Sequence, residues 1–248
     1  MISDGKGTLE IKKLDGNWKI DGIKVDVEKV DNILSVVLNR EGKNYELVSQ
    51  NPNRFTDLNV SSTSAKLTLK SGTAEKLTLI IGNSSYPGTF VRPEKENNVY
   101  LTAQSLNNVS TTDRQSYFDK ALFTFQQSSI QKISINNGKE SYILTKTDNK
   151  WKLENTNKDA DESKLNELLS NLQSLKADKV IENPRDKSGY AQKYGSVTVE
   201  TTEAKSETIG VSKGKNDFLL ERKFDGGLFT LSETSVSNIL KKSSDLVK

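Results

Sequence analysis

The 248-residue sequence contains no cysteine and no histidine. Without cysteine there is no disulfide framework and no thiolate nucleophile, and without either residue there is no Cys/His zinc site. No imidazole is available for a Ser-His-Asp triad or for a histidine general base. Catalysis in such a chain would fall to carboxylates, Lys, Tyr or an oxygen-bound metal. Long apolar runs are also missing. Stretches such as Val36-Val37-Leu38 and Leu79-Ile80-Ile81 fall far short of the roughly 18–20 residues of a membrane helix. Met1-Ile2-Ser3-Asp4 has neither the basic nor the apolar region of a signal peptide. Charge of one sign is scarcely in excess: 36 Lys+Arg stand against 33 Asp+Glu, so no field draws the chain to nucleic acid. There is no Gly-x-Gly-x-x-Gly loop and no phosphate-binding loop. Hydrophobic residues reach only 33%, which suits many short, half-exposed elements better than one thick core.

What is present is arranged twice. Leu14-Asp15-Gly16-Asn17-Trp18-Lys19-Ile20 matches Thr147-Asp148-Asn149-Lys150-Trp151-Lys152-Leu153, with the tryptophans 133 residues apart (151 − 18). At the same spacing Ile2-Ser3-Asp4-Gly5-Lys6 falls on Ile135-Asn136-Asn137-Gly138-Lys139. Each copy reads as strand, Gly turn, strand, Asp-containing turn, Trp strand. A helix follows, with Val27, Val30, Ile33, Leu34, Val37 and Leu38 in the first copy. Its counterpart holds Leu165, Leu168, Leu169, Leu172 and Leu175, both sets at 3–4 spacing. Asp26 and Glu28, then Asp159, Asp161 and Glu162, suit helix starts, and Asp159 to Glu162 reads as a capping box.

Asn51-Pro52 and Asn183-Pro184 mark turns out of a strand. Alternating strands follow, Ala65–Lys70 and Leu77–Gly82 in one copy, Ser196–Glu200 and Glu207–Val211 in the other. Hairpins close each set, Thr89–Arg92 with Asn98–Leu101 and Phe218–Arg222 with Leu228–Leu231. The copies end near Ser105-Leu106 and Ser235-Val236. In the second copy Ile130–Ile135 makes an opening strand of which the first retains only Ile2 and its flank. The expectation is that Met1 cuts into a strand and that an upstream membrane anchor has been removed. A native N-terminus at Met1 would refute this.

Together with Tyr117-Phe118-Asp119-Lys120-Ala121-Leu122-Phe123-Thr124-Phe125 between the copies, this pattern resembles the bacterial domain of unknown function 4340. That family is similar to the extracytoplasmic part of gliding-motility-associated ABC-transporter auxiliary proteins. The resemblance covers nearly the whole chain and its motifs are mostly structural. It implies a membrane-anchored envelope protein with no established activity, so no catalytic residue carries over. One departure is that the family often has Tyr-Gly-Leu before the central strands. Here the second copy has Tyr194-Gly195-Ser196 and the first Asp57-Leu58-Asn59-Val60.

Several residues invite a functional reading. Trp18 and Trp151, with Tyr100 and Phe229, could stack on a ligand or partner. Equivalent placement in both copies fits strand anchoring better, since Trp is usually substantially buried. Asn155-Thr156-Asn157-Lys158-Asp159-Ala160-Asp161 echoes a calcium loop, yet Ala160 and Asn166 stand where Gly and Glu are required. Ser129-Ile130-Gln131-Lys132 has the Ser-x-x-Lys form, but Ser129 leads into a strand rather than opening a helix. Asp113 to Phe125 reads as an amphipathic connecting helix with Tyr117, Phe118, Leu122 and Phe125 packed inward. The sequons at Asn59, Asn83 and Asn108 are expected by chance in a chain rich in Asn and Ser.

The sequence therefore predicts an α+β protein of two tandem homologous repeats, each a mostly antiparallel β-sheet with one packed α-helix. The repeats run over 1–126, including the connecting helix, and 127–248. The expected function is a non-enzymatic, extracytoplasmic interaction or scaffold module, auxiliary to an ABC-type transporter or a motility complex. It would have no cofactor, no metal and no nucleic-acid partner, and would meet the membrane only through its anchor. The alternative is a glycan- or peptide-binding module using a groove between the repeats. A carboxylate hydrolase is a third option, but nothing in the sequence selects the required pair.

Overall fold

A computed structural model describes residues 1–38, 45–106, 111–148, 150–154, 156 and 158–247. The Asn108 sequon and two positions of the calcium-like loop, Asn155 and Asn157, lie outside the described residues. The chain divides into two compact units, Met1–Asp119 and Lys120–Lys248.

The first unit opens with β1 (Ile2–Ser3), β2 (Thr8–Leu9), β3 (Lys12–Leu14), β4 (Asn17–Ile20) and β5 (Ile23–Lys24). Then come α1 (Val27–Val37), β6 (Tyr45–Ser49), β7 (Ala65–Ser71), β8 (Ala74–Ser85), β9 (Gly88–Pro93) and β10 (Val99–Thr102). A seven-stranded sheet runs β2-β1-β7-β8-β9-β10-β6, and β3-β4-β5 form a separate three-stranded sheet. All pairs are antiparallel. Asp15-Gly16 and Asp21-Gly22 have positive φ at both residues, the backbone that two-residue hairpins require and that Asp-Gly supplies. Asp26 caps α1 by accepting the Glu28 N–H at 3.1 Å, and the helix buries Val30, Ile33, Val36 and Val37. Leu58, Val60, Ile80 and Val99 form a core cluster with Phe55 and Phe90 against it.

The second unit contains β11 (Ile130–Asn136), β12 (Ser141–Thr147), β13 (Lys150–Leu153), β14 (Lys158–Asp159), α2 (Glu162–Ser174) and β15 (Lys179–Val180). It continues with β16 (Gln192–Thr201), β17 (Ser206–Lys213), β18 (Phe218–Arg222), β19 (Leu228–Leu231) and α3 (Glu233–Ile239). Its strands make one antiparallel sheet, β14-β13-β12-β11-β16-β17-β18-β19-β15. Side chains alternate along each strand. Ile133, Ile135, Leu144, Val197, Val199, Ile209, Val211 and Leu220 are buried on one face. Between them, Ser134, Ser196, Thr198, Thr208 and Ser212 turn the other way and are half exposed.

Three expectations need correction. The stretch from Asp113 to Phe125 is not an α-helix: it holds a 3-10 turn at Arg114–Ser116 and then extended backbone. Tyr117, Phe118, Leu122 and Phe125 are buried as expected, but so is Phe123, off the helical stripe. The backbone bonds go instead to the end of β5 and to the segment leaving α2. Phe118 bridges Val25 and Ala121 bridges Lys176, with the Asp119 N–H donating to Lys24 at 3.1 Å and the Leu122 N–H to Leu175 at 3.1 Å. So short a helix has little stability of its own, and these two segments offer partners. Second, the later unit carries two α-helices, with α3 packed on α2; Ser232 caps α3 through the Ser235 N–H. Third, Asp161 rather than Asp159 caps α2, accepting from Ser163 and Lys164 N–H groups at 3.1 and 3.3 Å. Asp159 belongs to β14, which pairs with β13.

Candidate functional site

The polar face of the second sheet holds an open groove with a cavity volume of about 480 Å³. Its walls come from β11, β16, β17 and β18, and its floor from glycines. Gly in a strand marks a bulge or a close approach, and both occur here. The register slips between Lys193 and Gly195. A Cβ at Gly195 would stand 2.4 Å from the Asn136 carbonyl oxygen and 2.9 Å from Leu240 Cδ1, so only glycine lets β16 lie so close. At Gly210 a Cβ would come within 3.3 Å of Lys223 Cε, which places the lysine stem across the bare backbone.

The rim is polar. Lys223 Nζ donates to Glu221 Oε2 at 2.7 Å, and this contact holds the Glu221 carboxyl below its ordinary range. Lys193, Ser196, Ser212 and Asn136 add donors and acceptors. Farther along the same face, the Thr198 and Thr208 hydroxyls meet at 2.9 Å. Such a surface can hold a polar ligand through hydrogen bonds. Glu221 is the one carboxylate among the residues lining the groove, so the groove does not present the carboxylate pair of a glycosidase.

None of the four aromatics singled out from the sequence lines this groove. Trp18 is half-buried on β4 opposite Lys13, whose Nζ lies 5.9 Å from the ring. Trp151 is half-buried on β13 opposite Lys146. Their carbonyls accept the Val25 and Ala160 N–H groups, each at 2.9 Å, so both residues tie a strand to the segment entering a helix. Tyr100 meets Tyr45 edge-on at 5.8 Å. Phe229 is buried, with the Arg222 guanidinium 4.6 Å above its ring. Sequence reasoning missed Lys193, Gly195, Gly210, Glu221 and Lys223. The available signal was glycine inside two alternating strands.

The remaining motifs resolve locally. Ser129 Oγ donates to the Gln126 carbonyl at 2.7 Å, while Lys132 sits on β11 and pairs with Glu200 at 3.6 Å. They make no nucleophile–base pair. Among the described residues, no group of three or more Asp or Glu is placed to hold a metal, and no helix is long and apolar enough to cross a membrane.

Two carboxylates clasp the ends of their units. Asp4 Oδ2 accepts the Thr112 hydroxyl at 2.7 Å and the Thr112 N–H at 3.0 Å. These bonds, with turn N–H groups, pull its pKa down to about 2. Glu140 accepts the Ser243 N–H and hydroxyl, each at 2.8 Å, and is lowered for the same reason.

Mostly antiparallel sheets with a few helices define an α+β protein. Residues 3–194 match the family described as a domain of unknown function (DUF4340), and the chain belongs to that family. The match crosses the boundary between the units and ends inside β16. No curated protein and no solved structure matches the chain.

Proposed function

We propose that the chain is a tandem duplication of one α+β unit, working as a non-enzymatic, extracytoplasmic and membrane-tethered interaction module of a bacterial envelope protein. Its partners would be envelope proteins, an ABC-type transporter or motility complex among them. Correspondences between the units support the duplication. The turns Asp4–Gly7 and Asn137–Glu140 share positive-φ glycines, Gly5 and Gly138, and the same Asx bonding. Thr68 and Thr78 hydroxyls meet at 3.0 Å as Thr198 and Thr208 do. The bridge from Val25 to Phe118 matches that from Ala160 to Val247. Joining β5-β4-β3 to β2-β1-β7-β8-β9-β10-β6 reproduces the strand order of the second sheet.

The observation that carries the interaction reading is the half-exposed, hydroxyl-rich sheet face of the second unit with its glycine-floored groove. Affinity capture of the full-length protein from solubilised membranes tests it. Envelope components should be recovered with the wild type and reduced with Gly210→Lys, which fills the groove. Recovery of cytosolic partners alone would overturn the reading.

The groove also favours a second reading, a glycan- or peptide-binding module, with the ligand seated on the second unit. A thermal-shift panel of cell-wall fragments and short peptides would give a shift with the wild type and none with Gly210→Lys. A panel without any shift counts against it.

A further inference from the structure

The groove floor of the second unit is laid out in rungs, because residues paired across neighbouring strands share a face of the sheet. One rung reads Asn136, Ser196, Gly210, Glu221, each paired with the next. The adjoining rung reads Lys193, Ser212, Leu219. Members of a rung lie about 4.8 Å apart, and the rungs about 7 Å apart along the strands. Gly210 leaves a notch in the middle of the first rung. Asn136 Oδ1 accepts the Gly138 N–H at 2.8 Å, which leaves the side-chain NH2 group to donate. Among the described residues, the side chains of Lys193, Ser196 and Ser212 have no protein partner. Glu221 is bonded to Lys223 at 2.7 Å and also feels the charge of Lys187. Lys213 Nζ lies 5.8 Å from the ring of Tyr194, a further lining residue, and nearby Asp217 accepts from the Tyr190 hydroxyl at 2.8 Å. Lys193 stands two strands and one rung away from Glu221. It is the lysine of the lining without a carboxylate beside it, so the groove carries an uncompensated positive charge.

The layout disfavours the common ways of holding a peptide. Strands β11, β16, β17 and β18 are each paired on both sides, so they offer no backbone edge for strand addition. Val211 and Leu219, the aliphatic residues of the lining, are buried and leave no apolar pocket for a helix face. What the groove presents is a flat array of hydroxyls, an amide and a carboxylate, which suits the hydroxyls of a sugar, together with a free ammonium. We propose that the groove binds an acidic oligosaccharide, whose hydroxyls meet Asn136, Ser196, Ser212 and Glu221 and whose carboxylate pairs with Lys193. The Gly210 notch lets a sugar ring lie against the bare sheet. A carboxylate matches the single free ammonium, whereas a phosphate monoester brings about two charges. The inference rests on the glycan reading of this groove and adds the charge of the ligand.

The probe is a galacturonate trimer titrated into the full chain at low salt, with backbone amide shifts as the readout. Shifts should centre on Ser196, Gly210 and Ser212. The same trimer with its carboxyls methyl-esterified should bind about tenfold more weakly, and so should the acid to Lys193→Gln. Lys193→Gln should bind acid and ester alike. Lys193 is exposed, so amides away from the groove should not move in this variant. Equal binding of acid and ester by the wild type, or no loss in Lys193→Gln, would overturn the acidic ligand and leave the glycan reading standing. Tighter binding of triglutamate than of the trimer at these amides would overturn the sugar in favour of a peptide. No shift with the trimer, its ester or triglutamate would overturn the proposal and the ligand-binding reading together.

Discussion

Two arginines sit deep in this protein, and each is held by carbonyls or a carboxylate together with an aromatic ring. Arg92 Nε donates to the Val60 carbonyl at 2.9 Å, and Nη1 to Glu94 and Glu96 carbonyls at 3.2 and 2.8 Å. Its guanidinium lies 4.2 Å over Phe55. Removing it strands three carbonyls and opens a cavity, so Arg92→Ala should cost about 3 kcal/mol, read from urea unfolding. The Asp4 clasp predicts a pH dependence. Its folded pKa of about 2 lies below the ordinary value of 3.8. Its contribution is therefore fully present above about pH 4 and is lost as pH falls through about 2. Thr112→Val should lower stability at pH 6, and the difference from wild type should shrink towards pH 2, in paired urea titrations. Residues of this kind were hard to find beforehand. Arg92 reads as an ordinary strand cation, and only its three-dimensional neighbours reveal carbonyls waiting for it.

At the scale of elements, local chemistry and long-range contact divide the work. Helices α1 and α2 and the hairpins follow periodicity and turn residues already visible in the sequence. Asp161 shows how far such signals reach: it caps α2, and Asp161→Ala should cost about 1 kcal/mol, measurable by thermal or urea unfolding. The connecting segment shows where they stop. Its apolar spacing resembles a helix, but the end of β5 and the segment leaving α2, far along the chain, claim its backbone. Gly88 makes the same point within the first sheet. A Cβ there would stand 1.6 Å from the Thr102 carbonyl oxygen, so β9 and β10 could not keep their approach. Gly88→Ala should cost about 3 kcal/mol and speed amide exchange in β10.

At the scale of the whole molecule, each unit has its own sheet and its own buried residues. Residues 120–248 expressed alone should fold, giving a dispersed amide spectrum and one cooperative transition; a collapsed spectrum would refute this. Turns and periodicity by themselves determined the fold class, α1, α2 and most strands, because these depend on neighbours along the chain. The zeros in composition excluded thiol and imidazole chemistry because a side chain that is absent cannot act in any fold. Only the tertiary structure decided the groove and the buried arginines. Each depends on which strands become neighbours and in what register. One step of register decides which side chains meet and which face they share, and that is settled by packing between residues far apart in sequence.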